Sequence, residues 1–185
     1  MTDIDGTEPA AADDAGEAAR FEALDDDRAL VLLLHCLHAE SWARRVLDGR
    51  PYPTSGDLDD ALTNAARAMD DDALGSALAA HPRIGDRPTG GGAAAAFSRA
   101  EQSGVDPADA DVAARLRAGN LAYEERFGHV FLIRAAGRSA QEILGALEHR
   151  LGNDPAAEAA VVREQLGQIA VLRLHQQLAA TAVGS

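Results

Sequence analysis

The sequence predicts an all-α fold, a single compact bundle of about seven to eight helices. Three observations carry that expectation. Hydrophobic residues make up 46% of the 185-residue chain but aromatics only 4%. Alanine and leucine therefore build the interior, which suits close-packed helices better than sheets, since sheets lean on β-branched and aromatic side chains. Apolar residues recur with helical spacing in segment after segment, each bounded by Gly, Pro or a short acidic cluster. No convincing strand pair and no internal repeat interrupts the pattern.

The chain opens on "MTDIDGTEPAAADDAGEAA", which is polar, acidic and rich in Ala and Gly. Such a segment offers little apolar area to offset the entropy of ordering, so residues 1–20 are expected to be a disordered tail before a helical domain over 21–180. "DDDRALVLLLHCLHAESWARRVLDG" reads as one helix, with Asp25 to Asp27 suiting its start and Gly49 its stop. "RPYPTSGD" is a turn-rich link. A helix from about Leu58 to Met69 follows, with Leu58, Ala61, Leu62, Ala65 and Ala66 on one face, then a short helix over about Asp72 to Ala80.

Next comes "AHPRIGDRPTGGGAAAAFSRAEQSG", where Pro82 forbids helix continuation and Ser98 with Glu101 forms a capping box for a further helix over Ser98 to Ser103. "DADVAARLRAGNLAYEERFG" is helical and closed by Gly128. "HVFLIRAAG" is apolar but too short for a full helix and reads as an extended connector. "RSAQEILGALEHRLGN" is a helix with Ser139 and Glu142 as its capping box. The last helix starts at Pro155, behind Asp154, and runs to about Leu178.

Charge and cysteine content exclude several function classes. The first 27 residues hold ten acids and one Arg, so much of the net charge of −13 sits in this N-terminal stretch and the rest of the chain is only mildly acidic. A phosphate backbone needs a basic footprint, so nucleic acid is not an expected partner. One cysteine, Cys36, rules out an internal disulfide framework and reads as core rather than nucleophile. The acidic N-terminus lacks the apolar region of a signal peptide, and no apolar run approaches a membrane span; a soluble cytoplasmic protein is expected. Gly90 to Gly92 lack the Lys of a phosphate-binding loop.

Among six histidines, His35 and His38 lie three apart and raise the question of a shared metal, but no third ligand pattern supports one, and ordinary packing is the simpler reading. His149 and His175 read as solvated. His81 differs, because it ends a helix ahead of Pro82, a junction at which an imidazole can face a cleft and can titrate near neutrality. Taken alone it reads as structural, and Glu101 is already explained as a capping acid. Arg173 stands inside the apolar "IAVLRL" and needs an anionic partner or must reach solvent.

Taken in order, "ESWARRVLDGRPY", "HPRIG", "SRAEQSG", "YEERFGHVFLIRAAGRSAQEIL", "RLGNDPAAE" and "IAVLRL" resemble the 2-oxo-4-hydroxy-4-carboxy-5-ureidoimidazoline (OHCU) decarboxylase family of purine catabolism, over about residues 21–178. The resemblance implies an all-helical, commonly homodimeric enzyme that needs no cofactor or metal and turns OHCU into (S)-allantoin with loss of CO2. It implies His81, Glu101 and Arg173 as the catalytic residues. Pro82, Ser98, Gln102 and the stretch Ile133, Arg134, Ala135, Ala136 and Gly137 are implied as substrate contacts. Many members carry Phe-Pro where this chain has His129-Val130. Two other classes stay open on the residues alone: a catalytically inactive helical partner protein, and a metal-dependent hydrolase built on His35 and His38.

Overall fold

The computed structural model describes residues 10–79 and 110–183, and every regular element among them is a helix. These are α1 (Ala10–Glu22), α2 (Asp26–Cys36), α3 (Glu40–Asp48), α4 (Ser55–Arg67), α5 (Asp71–Ala79), α6 (Ala110–Phe127), α7 (Ala140–Arg150) and α8 (Pro155–Val183). The all-α expectation holds, and so do most of the local start signals. Asp154 Oδ1 accepts from the amides of Ala156 and Ala157 at 3.0 Å each, directly behind Pro155 in the first helical position. At α7 the Ser139 Oγ accepts from the Glu142 amide (3.3 Å) while Glu142 Oε2 accepts from the Ser139 amide (2.8 Å). These bonds to Ser139 hold the exposed Glu142 carboxyl below its ordinary range. Thr54 and Asp57 make a second reciprocal cap at α4.

Three expectations are corrected. Part of the segment read as a tail is helical, since α1 begins at Ala10; within it Ala18 is buried, and so is Phe21, the first residue of the expected domain, on the same helix. A helix of this length is marginal on propensity alone, so packing of that face against the bundle decides it. The long helix read over residues 25–49 is two helices, because Leu37 and Ala39 take extended conformations at its middle. Both side chains are buried, and the Ala39 amide turns back onto the Leu37 carbonyl (2.8 Å). The last helix continues past Leu178 to Val183. The helix expected over Ser98 to Ser103 lies outside the described residues.

Two apolar cores result. The larger joins α1 to α5 with α8 around Leu33, Trp42, Leu58, Leu62, Leu166 and Ile169. Trp42 is locked there by its indole N–H, which donates to the Leu62 carbonyl (3.1 Å). Where α8 passes α4, a Cβ on Gly167 would stand only 3.0 Å from the Thr63 Cα, so the bare backbone lets the two helices pack tightly. The smaller core joins α6, α7 and the irregular strip 131–135 around Leu116, Tyr123, Phe131, Ile143 and Leu147. Through Glu158 near its start, α8 reaches that second core, and through Leu166 to Leu178 it lines the first.

Candidate active site

Helix α8 organises everything that the described residues contribute to a site. Its run from Ile169 to Leu174 is buried apart from a partly exposed Val171 and Leu172, yet it includes Arg173, only 3% exposed. A guanidinium so placed must be partnered. One donor, NH1, goes to the Cys36 carbonyl at 2.9 Å, at the point where α2 ends and its last carbonyls lack intrahelical partners. The same helix end carries partial negative charge, which suits a cation. The Cys36 thiol beneath it is buried and accepts from Gln177 Nε2 (3.3 Å); burial pushes its pKa up to about 12, which makes it a core group and no nucleophile.

The second piece is the strip Phe131 to Gly137, which is neither helix nor strand. Phe131, Leu132, Ile133 and Ala135 are buried, so its backbone polar groups require partners. Arg150 NH1 donates to the Leu132 carbonyl (2.7 Å), and the Arg134 amide donates to Gln165 Oε1 on α8 (2.9 Å). Arg138 closes the far end: its amide donates to the Ala135 carbonyl (3.0 Å) and its Nε to the Arg134 carbonyl (3.1 Å). Gly137 turns the chain there with φ +79°, a conformation that a Cβ disfavours. The amides of Ile133, Ala135, Ala136 and Gly137 have no hydrogen-bond acceptor among the described residues.

Arg150 and Glu158 were not singled out from sequence, yet they hold this strip in place. Arg150 is 5% exposed and Glu158 fully buried. Arg150 donates through Nε (2.8 Å) and NH2 (2.5 Å) to Glu158 Oε1, which also accepts from the Tyr123 hydroxyl, while Asn153 Nδ2 donates to Oε2 (2.7 Å). The guanidinium also lies over the Phe131 ring, 4.7 Å from its centroid and within cation–π range. Burial first, and the Glu158 carboxylate second, push the Tyr123 phenol well above its ordinary pKa, so it stays a donor.

His81, Pro82, Ser98, Glu101 and Gln102 lie outside the described residues. Ala79, two positions before His81, lines a cavity of about 540 Å³ together with Leu74, Leu78, Phe127, His129 and Val130. Of the expected site residues, the structure therefore describes Arg173 and the strip Ile133 to Gly137, both tied to α8.

The remaining histidines sort as follows. His35, His38 and His149 are exposed, and no group of three or more metal-ligating side chains occurs among the described residues. His175 is not solvated as expected. Its Nε2 lies 2.8 Å from Asp59 Oδ1 on α4 and 3.4 Å from Glu17 Oε2 on α1, beside a cavity of about 330 Å³ that Asp60 and Arg134 also line. The Asp59 hydrogen bond, aided by both carboxylate charges and against partial burial, raises its pKa above the ordinary 6.5. A raised folded pKa gives stability that is complete below the unfolded value and is lost as pH climbs through the folded one. Changing His175 to Gln is thus expected to cost at most about 1 kcal/mol, since the pair is partly exposed. In urea titrations that difference should be present below about pH 6.5 and should shrink at higher pH.

Comparison with known proteins bears on the same span. The family model described as OHCU decarboxylase matches residues 22–175. A 2-oxo-4-hydroxy-4-carboxy-5-ureidoimidazoline decarboxylase of Amia calva is 37% identical over 134 residues, covering 71% of this chain and 77% of that protein. One of Haloferax volcanii is 26% identical over 156 residues, covering 83% and 91%. A uric acid degradation bifunctional protein of Arabidopsis thaliana is 33% identical over 102 residues, which are 53% of this chain and only 31% of that longer protein. Among solved structures, an OHCU decarboxylase crystallised in the presence of (S)-allantoin superposes with a TM-score of 0.62 at 22% identity, covering 84% of this chain and 99% of that one. An (S)-allantoin synthase gives 0.63 at 21%, covering 86% and 53%.

Proposed function

The chain belongs to the OHCU decarboxylase family, and from that premise we infer that it decarboxylates OHCU to (S)-allantoin in urate degradation. The single observation that carries the reading is the family match over residues 22–175, a span that holds all the residues expected to act. As a carboxy-lyase it needs somewhere for an electron pair to go. OHCU supplies its own sink, because the carbon bearing the carboxylate adjoins a ring C=N. As the C–C bond to the carboxylate breaks, CO2 departs, its bonding pair forms a carbon–carbon double bond, and the imine nitrogen takes up a proton. The resulting enol then loses its hydroxyl proton and gains one on the neighbouring carbon, which yields allantoin. Atoms and electrons balance with no cofactor, so the protein's tasks are proton transfer, orientation and stabilisation of developing negative charge.

In this reading His81 is the general acid/base, taking the hydroxyl proton or delivering one to the intermediate. Glu101 orients His81 or a substrate N–H and favours the imidazolium. Arg173 holds anionic oxygen by charge-assisted hydrogen bonds. Its tie to the Cys36 carbonyl supports that role, since a guanidinium anchored on one side has less entropy to lose when it engages substrate. Ser98, Gln102, Pro82 and the strip Ile133 to Gly137 fix the ring and ureido group, so that the proton reaches one face. The unengaged amides of that strip are suitable donors for carbonyl oxygens of the substrate. We read the enzyme as a cytoplasmic homodimer; no helix among the described residues is long and apolar enough to cross a membrane.

The test is direct. OHCU is generated from urate with the upstream enzymes, the protein is added, and product circular dichroism is followed. Rapid appearance of one allantoin enantiomer is expected; racemic product at the background rate refutes the reading. Arg173→Lys is a sharper probe of one role. A point charge cannot reproduce a planar fork that spans the Cys36 carbonyl and a second acceptor, so kcat/KM should fall by about 10²-fold, the scale of one lost charge-assisted contact. Steady-state kinetics with folding checked by circular dichroism measures it.

A further inference from the structure

The strip Leu132 to Gly137 is gripped from two sides, and the two grips differ in kind. Arg150 takes the Leu132 carbonyl (2.7 Å) from within the buried ion-pair network of the small core. Gln165 takes the Arg134 amide (2.9 Å) from α8, the helix that also carries Arg173. Gln165 is partly exposed and uncharged, and only its amide oxygen is used in this contact. Its bond lies one residue from Ile133 and links the strip's backbone directly to α8. Eight residues along that helix, roughly 12 Å of axial rise, stands Arg173. A side chain that bonds main chain reads nothing of the strip's sequence; it sets only where the strip lies.

We propose that Gln165 is a positioning residue, which fixes the amides of the strip 133–137 in register with Arg173 so that both meet one substrate. The proposal rests on the OHCU reading above and adds to it a residue that touches no reacting atom. With the Leu132 carbonyl engaged by Arg150 and the Arg134 amide by Gln165, the amides of Ile133, Ala135, Ala136 and Gly137, which have no acceptor among the described residues, remain available as donors to substrate. Releasing the Arg134 amide lets the strip move relative to α8 and weakens every one of those contacts together. Because these bonds hold the substrate's body and not the carbon undergoing change, the loss falls on KM more than on kcat.

Two variants test this. Gln165→Leu keeps the size of the side chain and removes the acceptor; Gln165→Glu keeps an acceptor at the same place. Gln165→Leu is expected to raise KM for OHCU about tenfold with kcat within about twofold of wild type, while Gln165→Glu stays near wild type. Amide hydrogen exchange gives a readout free of substrate: the Arg134 amide should be protected in wild type and in Gln165→Glu, and exchange much faster in Gln165→Leu. Unchanged KM in a folded Gln165→Leu protein overturns the proposal, as does unchanged Arg134 protection or an equal defect in both variants. A wild-type protein that produces no excess of one allantoin enantiomer sinks the OHCU reading instead, and the exchange result then still decides whether Gln165 holds the strip.

Discussion

Replacing His81 by Ala is expected to lower enzymatic (S)-allantoin formation by about 10²- to 10⁴-fold, the usual contribution of a positioned general acid/base. The reason lies in the reaction's arithmetic. After CO2 leaves, two proton movements remain, off the hydroxyl and onto the adjacent carbon. Only a titratable group near neutrality serves both at physiological pH, and His81 is the one the family resemblance puts there. OHCU also decays slowly without enzyme, so the variant should not be silent. It should give racemic allantoin at the background rate, visible as product absorbance without circular dichroism. The far-ultraviolet spectrum and thermal midpoint should match wild type. A variant that still makes one enantiomer at near wild-type rate removes His81 from the mechanism.

The largest expected effect on stability comes from Arg150→Met. The side chain is 5% exposed and its partner Glu158 is fully buried, so the substitution strands a carboxylate in the interior. Breaking a buried ion pair from one side costs about 3–5 kcal/mol, far more than the pair is worth against apolar replacements, because the abandoned charge loses its compensation. At this chain length that corresponds to a fall of about 10 °C in thermal midpoint. Tyr123 and Asn153 still donate to the carboxylate, which softens the loss without replacing a cation. Adding Glu158→Gln to Arg150→Met removes the stranded charge and should recover part of the stability. Thermal unfolding of the single and double variants measures both steps, and a single variant that melts with wild type shows that the Arg150–Glu158 pair does not support the fold.

The comparison of sequence with structure divides along physical lines. Signals written within a few residues were legible: the Ser139–Glu142 box, the Asp154-Pro155 start and the positive-φ Gly128 that closes α6 all stand where the local pattern puts them. The break at Leu37 to Ala39 was not legible, because neither Gly nor Pro marks it; burial of both side chains and the meeting of the Cys36 carbonyl with Arg173, 137 positions away, accompany it. His175 looked solvated on its own helix because its carboxylate partners come from two others. Arg150 was missed for the opposite reason. A basic residue in a last helical turn is ordinarily a surface charge facing the helix dipole, and nothing nearby in sequence announced Glu158. Arg173 was legible as odd, since a cation inside an apolar run must be answered by something. The roles assigned to His81, Pro82, Ser98, Glu101 and Gln102 came from family resemblance, and these residues lie outside the described structure.

The length of α8 has a consequence for how such a site can vary. One unbroken helix sets Glu158, Gln165, Gly167 and Arg173 at fixed angles around a common axis, about 100° per residue. The helix therefore acts as an indexing shaft. A single inserted or deleted residue between Gln165 and Arg173 would turn one against the other by more than a quarter revolution, and no local adjustment would restore both. The residue count between Gln165 and Arg173 is therefore constrained independently of which side chains stand between them.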